Sequence, residues 1–521
     1  MDGEPLPVPG KTPSGAIGGI GNIQQYAPFL FILALAVGGV LRATLGKVPG
    51  SLVTGGAVAV VAWFMVGALS MALVAGVLAL FVTLLSGRMG GHGMGGYYGG
   101  MGGVDGVASV AAAVFVVSAG YGALMPVLPG WLGSLMPGAS APEVARHVGF
   151  FSGVYAAGVL VGAPLWGAIS DRVGRSRILI IGLIGYIASQ FLLLVPGLES
   201  LWGLYALRAA TGLFVAAVVP VVSALVAEHT PQDKRARRFA WLSAMSLLGF
   251  LFGPGLNEVA DAARSWAGAG AVTAATSARA VIVLSALLGA VMMLGLARTL
   301  PASRGPDAAA QKEPPTPAED RTAALCWLSG IVMLVLAGFE LGIVLQGQQH
   351  ADMSSRQVAM MFAECSLAML VVNALLFVTG LLEKISSRTL VGSGLLLAMS
   401  GLAVMAWHSA EVWLYLGIGL TAAGTGLVLP VIAYLAAGVS RQKLGATMGA
   451  LAAAAGLGQT LGSSLGGWLF GSLAQGGFGL LIVPLAAMQA LLFARPGWWS
   501  VIPAASTSPP NRLPATGKRN L

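Results

Sequence analysis

The sequence predicts an all-α polytopic membrane protein. Two six-helix bundles are related by a pseudo-twofold axis, with two or three extra transmembrane segments at the N-terminus. Three observations predict it. Of 521 residues, 56% are hydrophobic and 9% charged, and Gly alone supplies 75; a soluble chain of this length needs far more surface charge. Apolar runs long enough to cross about 30 Å of hydrocarbon recur from end to end. The basic residues cluster in every second loop, as the positive-inside rule requires of cytoplasmic loops.

After a Gly-rich stretch at 87–106 the apolar runs number twelve: 107–131, 144–168, 177–197, 201–227, 239–260, 279–299, 322–346, 356–380, 388–408, 411–437, 444–471 and 477–494. Alternate loops carry Arg172/Arg175/Arg177, then Lys234/Arg235/Arg237/Arg238, then Arg298/Arg304/Lys312/Arg321. Lys384/Arg388, Arg441/Lys443 and a tail with Arg495, Arg512, Lys518 and Arg519 follow. The intervening loops carry little basic charge and include Glu143, Glu199, Asp261, Asp352 and Glu411. Both ends of the twelve-helix unit are therefore expected in the cytoplasm. The same clustering turns the net charge of +9 away from a nucleic-acid partner and toward the lipid bilayer.

The expected domains are a membrane extension with its Gly-rich linker at 1–106, an N-terminal bundle at 107–299 and a C-terminal bundle at 322–494. A Pro-rich, charged cytoplasmic linker at 300–321 joins the bundles, and a cytoplasmic tail covers 495–521. The bundles read as weak repeats. The fourth span contains ATGLFVAAVVPVVSALVA and the tenth AGTGLVLPVIAYLAAG, with Pro220 and Pro430 in similar settings. Such internal symmetry is common among secondary carriers.

In the extension, segment 26–41 just spans, whereas 52–86 would run about 50 Å as one helix. Either it tilts, giving two added spans, or it turns near Gly67–Ser70, giving three and keeping Arg42 and Lys47 inside. The first 24 residues show no cleavable signal. Segment 46–103 resembles the C-terminal membrane tail of TPM-domain proteins without their globular domain, which implies an accessory anchor. His92 with Met89, Met94 and Met101 shows no recurring ligand spacing, so a flexible glycine linker and no metal are expected. Cys326 and Cys365 each lie inside an apolar run and read as small buried hydrophobes.

Residues 167–177 read GAISDRVGRSR. Gly167, Asp171, Arg172, Gly174, Arg175 and Arg177 resemble the loop signature of the major facilitator superfamily. Three further matches resemble its twelve-helix drug:proton antiporter branch. The first span carries Gly120-x5-Pro126-x-x-Pro129; the fourth carries Arg208-x-x-x-Gly212, with Thr211 where Gln is common. The fifth carries Gly249-x-x-x-Gly253-Pro254-Gly255, with Asn257 and Glu258 replacing the final Gly-Gly. Gly458, Gly462, Gly466 and Gly467 follow similar spacing in the eleventh span, with Ser463 replacing Pro. The resemblance covers residues 107–494.

That resemblance implies a monomeric carrier in a bacterial-type cytoplasmic (inner) membrane. It would export a small-molecule substrate against protons by alternating access, with no cofactor beyond the proton gradient. Asp171 and its arginines would gate, because an aspartate at a helix end can latch to nearby arginines in one conformation. Gly253 and Pro254 would hinge, since small residues permit close helix approach and Pro adds a bend. The membrane carboxylates Glu340 and Glu364 are the coupling candidates, with Arg208 as a charge partner. Ionisable groups at depth are costly and mark proton or substrate paths. Arg208 lies near the outer end of its span, so reaching out to the interface is its alternative role. Asn373, Tyr121, Phe115, Tyr155, Trp166 and Gln346 are cavity candidates, although interfacial anchoring is the commoner role for aromatics.

No Walker loop and no Gly-x-Ser-x-Gly elbow occur, so neither ATP-driven export nor hydrolase chemistry is expected. A metabolite uniporter or proton symporter, and a non-transporting scaffold or sensor, stay as alternatives. The incomplete antiport motif favours the former and the N-terminal extension the latter.

Overall fold

The computed structural model describes residues 104–495, apart from 199, 230–231, 267, 269–272, 300–319, 350–352, 354, 380 and 438–443. The chain divides into units Met1–Gly99 and Gly100–Leu521; the description concerns the second. The expected N-terminal spans, the Gly-rich and TPM-like segment, most of the linker and the tail beyond Arg495 lie outside the described residues.

Every regular element among the described residues is helical. The first span is α1 (Val104–Leu124) and α2 (Leu128–Leu135), joined by a 3-10 turn at Met125–Val127. The second is α3 (Ala141–Val173) and the third α4 (Arg175–Leu192). The fourth is α5 (Leu201–Val215) and α6 (Val219–His229); the fifth is α7 (Gln232–Phe252) and α8 (Gly255–Trp266). The sixth is α9 (Ala274–Thr299). The seventh is α10 (Asp320–Gln349) and the eighth α11 (Ser355–Thr379). A single turn, α12 (Leu381–Lys384), precedes the ninth, α13 (Ser387–Trp407). The tenth is α14 (Glu411–Ala437), the eleventh α15 (Leu444–Leu473) and the twelfth α16 (Gly477–Ala494).

Ten stretches among the described residues are long and apolar enough to cross a membrane. One of them, Gly449–Ala494, takes in both the eleventh and twelfth helices, and the fifth span contributes only the shorter apolar stretch Leu242–Phe252. The fifth is polar at its start because α7 opens on the basic run Lys234–Arg238.

The helix breaks follow from proline. It lacks an N–H and its ring crowds the carbonyl four residues back. Pro126 sits in the 3-10 turn and Pro129 in the first turn of α2, so the pair splits the first span in two. The fourth span breaks just before Pro220, where Ala217 and Val218 donate to Phe214 and Val215 three residues back, at 3.0 and 2.8 Å. Pro430 lies inside the unbroken α14. The two prolines read as equivalents in the sequence thus do different things in the two bundles. Between α3 and α4 only Gly174 intervenes, at φ +103°, a conformation open to Gly because it has no Cβ.

Backbone-to-backbone contact assembles each bundle. Gly249 and Gly253 press the fifth span onto the first: a Cβ at Gly249 would sit 2.5 Å from the Phe115 carbonyl, and one at Gly253 2.8 Å from that of Ala119. The pseudo-equivalent pair is the seventh and eleventh spans. There Gly458 and Gly462 lie against the carbonyls of Gly330 and Leu334, leaving no room for a Cβ, and Gly466 approaches Gly338. Gly467 turns the other way, onto Ala145 and Gly149 of the second span. It joins the two bundles and does not extend the glycine face of its own.

A side chain at Gly462 must therefore force the seventh and eleventh helices apart. Gly462→Val is expected to destabilise the protein by about 1–3 kcal/mol. Gly167→Ala, at a position with nothing within 4 Å, is expected to be neutral. Thermal melting of both variants in detergent checks the contrast.

Candidate functional site

The N-terminal bundle buries one arginine. Arg208, on α5, is 2% exposed. Its guanidinium carbon lies 4.3 Å from the ring centre of Tyr155, 5.3 Å from Phe151 and 5.6 Å from Tyr121. Gly212, one turn on, lets α5 approach so closely that a Cβ there would overlap the Tyr155 carbonyl. Thr211, in the place where Gln is common, bonds to the Leu207 carbonyl at 2.8 Å and to the Ser189 hydroxyl at 3.0 Å. Arg208 does not reach out to the interface; it points into an aromatic cage. The cage offsets only part of its burial. A desolvated cation–π contact contributes about 2 kcal/mol, against several kcal/mol for taking an ion out of water. Nε and Nη2 of Arg208 are buried with no hydrogen-bond partner.

Tyr121 and Tyr155 are each 7% exposed, and their rings lie tilted to each other with centres 5.0 Å apart. Tyr121 also meets Phe250 edge-on at 5.4 Å. These two tyrosines are inner-wall residues, not interfacial anchors. Anchoring fits the strongly exposed Trp202 and Trp407 instead. Phe151 belongs to the cage and was not picked out in the sequence, although it lies one helical turn before Tyr155 on the same face.

The two candidate carboxylates enter from the C-terminal bundle. Glu340 on α10 and Glu364 on α11 are both partly buried. Cys365 lies within electrostatic reach of both, and Tyr121 within reach of Glu340 and Arg208. The candidates therefore form one series across the boundary between bundles: Arg208, Tyr121, Glu340, Cys365, Glu364. Arg208 and Glu340 are not in direct ion-pair contact; their relation runs through the neighbourhood of Tyr121. Glu364 faces the tenth span, with Oε1 3.3 Å from where a Cβ of Gly419 would stand, and its Oε2 is buried without a hydrogen-bond partner. Tyr415 also feels Glu364, a neighbour the sequence did not single out.

The remaining cavity candidates have local roles. Asn373 donates back to the Met369 carbonyl at 2.9 Å, and Gln346 to that of Gly342 at 3.5 Å. Trp166 ties the second span to the fourth by donating to Leu213 at 2.8 Å and packing on Phe214. Phe115 packs on Phe252 across the first and fifth spans. Asn257, in the place of a motif glycine, donates to the Ala123 carbonyl at 3.0 Å and pins α8 to α1. A separate recess of about 360 Å³ opens at the outer end of the N-terminal bundle, lined in part by Glu143, His147 and Leu201. His147 there is hydrogen-bonded to Tyr205.

The conformation is read from the second and eleventh spans. They are in contact from Pro142/Gly471, through Gly149/Gly467 and Gly153/Ser464, to Leu160/Gly456. Beyond that point Gly167 and Gly449 have nothing within 4 Å. The helices are thus zipped from the end that loop charge assigns to the outside, and among the described residues this contact ends at Leu160 and Gly456. The signature loop lies past that point. Arg175 donates to the Ser170 hydroxyl at 2.9 Å, and that hydroxyl donates to the Gly167 carbonyl at 2.8 Å. Arg172 and Arg177 are exposed, and the Asp171 side chain is outside the described residues.

Helical bundles related by repeated glycine faces and joined along the second and eleventh spans have the architecture of a secondary carrier. The profile of the Major Facilitator Superfamily matches residues 110–376, about half of the chain, and the chain belongs to that superfamily. It is an integral membrane transporter and not an enzyme. It is 36% identical over 135 residues to the "Tetracycline resistance protein, class B" of Escherichia coli, covering 26% of this chain and 32% of that protein. It is 29% identical over 144 residues to the "Quinolone resistance protein NorA" of Staphylococcus aureus, covering 28% and 35%. These alignments span about a third of each relative's length. Among solved structures, the human organic anion transporter MFSD10 (TETRAN) superposes with a TM-score of 0.57 at 20% identity, over 74% of this chain and 98% of that one. An inward-facing, unoccupied bacterial homolog of the human lysosomal transporter Spinster gives 0.58 at 15% identity, over 76% and 98%. Both show a shared fold.

Closure at the outer end depends on glycine at positions 149 and 467, where a Cβ would fall 2.6 Å from the opposing backbone. Gly467→Leu is expected to hold that end open by roughly 1–3 kcal/mol. In a cysteine-free background, a Ser464→Cys reporter should then react roughly tenfold more with an impermeant maleimide added outside.

Proposed function

We propose that the chain exports a small amphipathic molecule in exchange for protons. The two bundles, 107–299 and 322–494, rock about the boundary between them. The observation that carries the reading is that one ionisable group from each bundle, Arg208 and Glu340, lies within electrostatic reach of the same tyrosine, Tyr121. A carboxylate there can be reached from either side as the bundles rock, and it can exchange a proton for a substrate group. Glu364, one shared neighbour away at Cys365, is the second coupling candidate. The printed names of the relatives, resistance proteins for tetracycline and quinolone, support export of drug-like compounds. Asp171 and Arg172 latch the cytoplasmic ends when these close. Gly253 and Pro254, at the turn between α7 and α8, are the pivot. The protein works as a monomer in the cytoplasmic membrane and draws its energy from the proton gradient.

A second reading, a metabolite uniporter or proton symporter, is favoured by one observation. Asn257 pins α8 to α1 where the antiporter motif has glycine. Adding an uncoupler to loaded cells separates the readings, because an exporter then accumulates substrate and a proton symporter loses it.

In everted vesicles, Glu340→Gln is expected to slow proton-driven substrate uptake by about 5- to 150-fold, the range of an ordinary coupling free energy. Substrate exchange without a gradient should survive. Unchanged proton-driven uptake in both Glu340→Gln and Glu364→Gln would remove these carboxylates from coupling.

A further inference from the structure

We infer that Glu364 takes its protons from the outer surface along a stripe inside the C-terminal bundle, with Glu411 as the entry group and Tyr415 as the relay. The inference deepens the proposed proton exchange and rests on it in taking Glu364 as a coupling group. Two contacts fix the stripe. At the rim, Gln357 Nε2 on α11 donates to Glu411 Oε1 on α14 at 3.2 Å. Deeper in, Glu364 Oε1 on α11 stands 3.3 Å from where a Cβ of Gly419 on α14 would be. Gln357 and Glu364 lie two turns apart on one face of α11, and Glu411, Tyr415 and Gly419 follow one another turn by turn along one face of α14. Either offset amounts to about 10–12 Å of helix rise. The two helices therefore run side by side from the rim to Glu364, and Tyr415 stands between the two contacts.

Exposure falls along the stripe. Glu411 is exposed, while Tyr415 and Glu364 are partly buried. Oε2 of Glu364 is buried without a hydrogen-bond partner. Tyr415 lies within electrostatic reach of both Glu411 and Glu364; the other titratable neighbours are Cys365 and, through it, Glu340. Loop charge puts the first turns of α11 and α14 outside, so Glu411 meets outer water. A proton from that water settles on the Glu411 carboxylate. The Tyr415 oxygen then accepts it as the hydroxyl's own proton passes to Glu364. The tyrosine is neutral before and after, and Glu364 ends as the acid. Because α11 and α14 belong to one bundle, rocking of the bundles neither opens nor closes this stripe. Glu364 is thus fed from outside even while the second and eleventh spans are in contact at that end. The two carboxylates then differ in role. Glu364 loads from the outside, and Glu340, within electrostatic reach of Tyr121 in the other bundle, is the one whose surroundings change as the bundles rock.

The first measurement needs no variant to fold. The full-length protein, in right-side-out and everted membrane vesicles with the two sides buffered separately, is treated with dicyclohexylcarbodiimide. That reagent reacts with protonated carboxyl groups in apolar surroundings, and modification of Glu364 is read by peptide mass spectrometry. Above the midpoint of its titration, modification is expected to fall about tenfold for each unit by which the outer pH is raised. The same step on the cytoplasmic side should leave it unchanged. Modification that follows the cytoplasmic pH, alone or equally with the outer, overturns the inference. The second measurement uses Tyr415→Phe, which keeps the ring and removes the hydroxyl. In nanodiscs it is expected to slow protonation of Glu364 after a downward pH step by roughly 100-fold, the lower range for a positioned proton-transfer group. The readout is the carboxylic-acid infrared band that Glu364→Gln lacks, and Glu411→Gln should act in the same direction. An unchanged rate in either variant overturns the path. Neither readout involves substrate. If Glu364→Gln leaves proton-driven uptake intact, the proposed coupling through Glu364 fails while both readouts stand. If coupling holds and modification follows the cytoplasmic side, only this inference fails.

Discussion

Lipid removes the hydrophobic drive that packs helices in water, so this fold depends on how closely two helical backbones can approach. Glycine sets that distance. At Gly249 and Gly253 the fifth span lies on the first; at Gly458 and Gly462 the eleventh lies on the seventh. The same device, at matching places in the two bundles, gives each a rigid unit. A third glycine contact, Gly149 on Gly467, joins the units, and Gly471, Gly153 and Gly456 continue that seam along the second and eleventh spans.

Within that frame the ionisable groups are few and are placed where the bodies meet. Arg208 comes from one bundle and Glu340 and Glu364 from the other. Tyr121 and Cys365 are the neighbours that link them. Burying a guanidinium costs several kcal/mol that three aromatic faces only partly offset. A bundle built for stability alone would put leucine at position 208. The closely fitted Gly212, one turn on, lets α5 hold that side chain against the second span.

Much of this was legible in the residues. The span pattern, the charge alternation and the Gly167–Arg177 loop pointed to the fold and the family. The break in the first span goes with a pair of prolines, Pro126 and Pro129, whereas the single prolines Pro164, Pro430 and Pro484 lie inside unbroken helices. Gly466 and Gly467, adjacent in the motif-like run, pack on different spans, because neighbouring residues on a helix point about 100° apart. Treating Pro220 and Pro430 as equivalents failed because neighbouring helices decide whether a proline breaks a span or bends it. Tyr121 and Tyr155 looked like possible interface anchors, since an aromatic in an apolar run carries no mark of which neighbour it meets.

By itself the sequence determined that the chain crosses a membrane many times, which loops carry the basic charge, and which residues can carry charge at depth. Hydrocarbon thickness and the cost of burying charge leave little choice on those points. Only the tertiary structure decided that Arg208 sits in an aromatic cage with an open edge, that Glu340 comes within electrostatic reach of Tyr121 from the other bundle, and that the second and eleventh spans pack together. These are relations between segments up to hundreds of residues apart, set by which helix faces fit together. No local pattern encodes them.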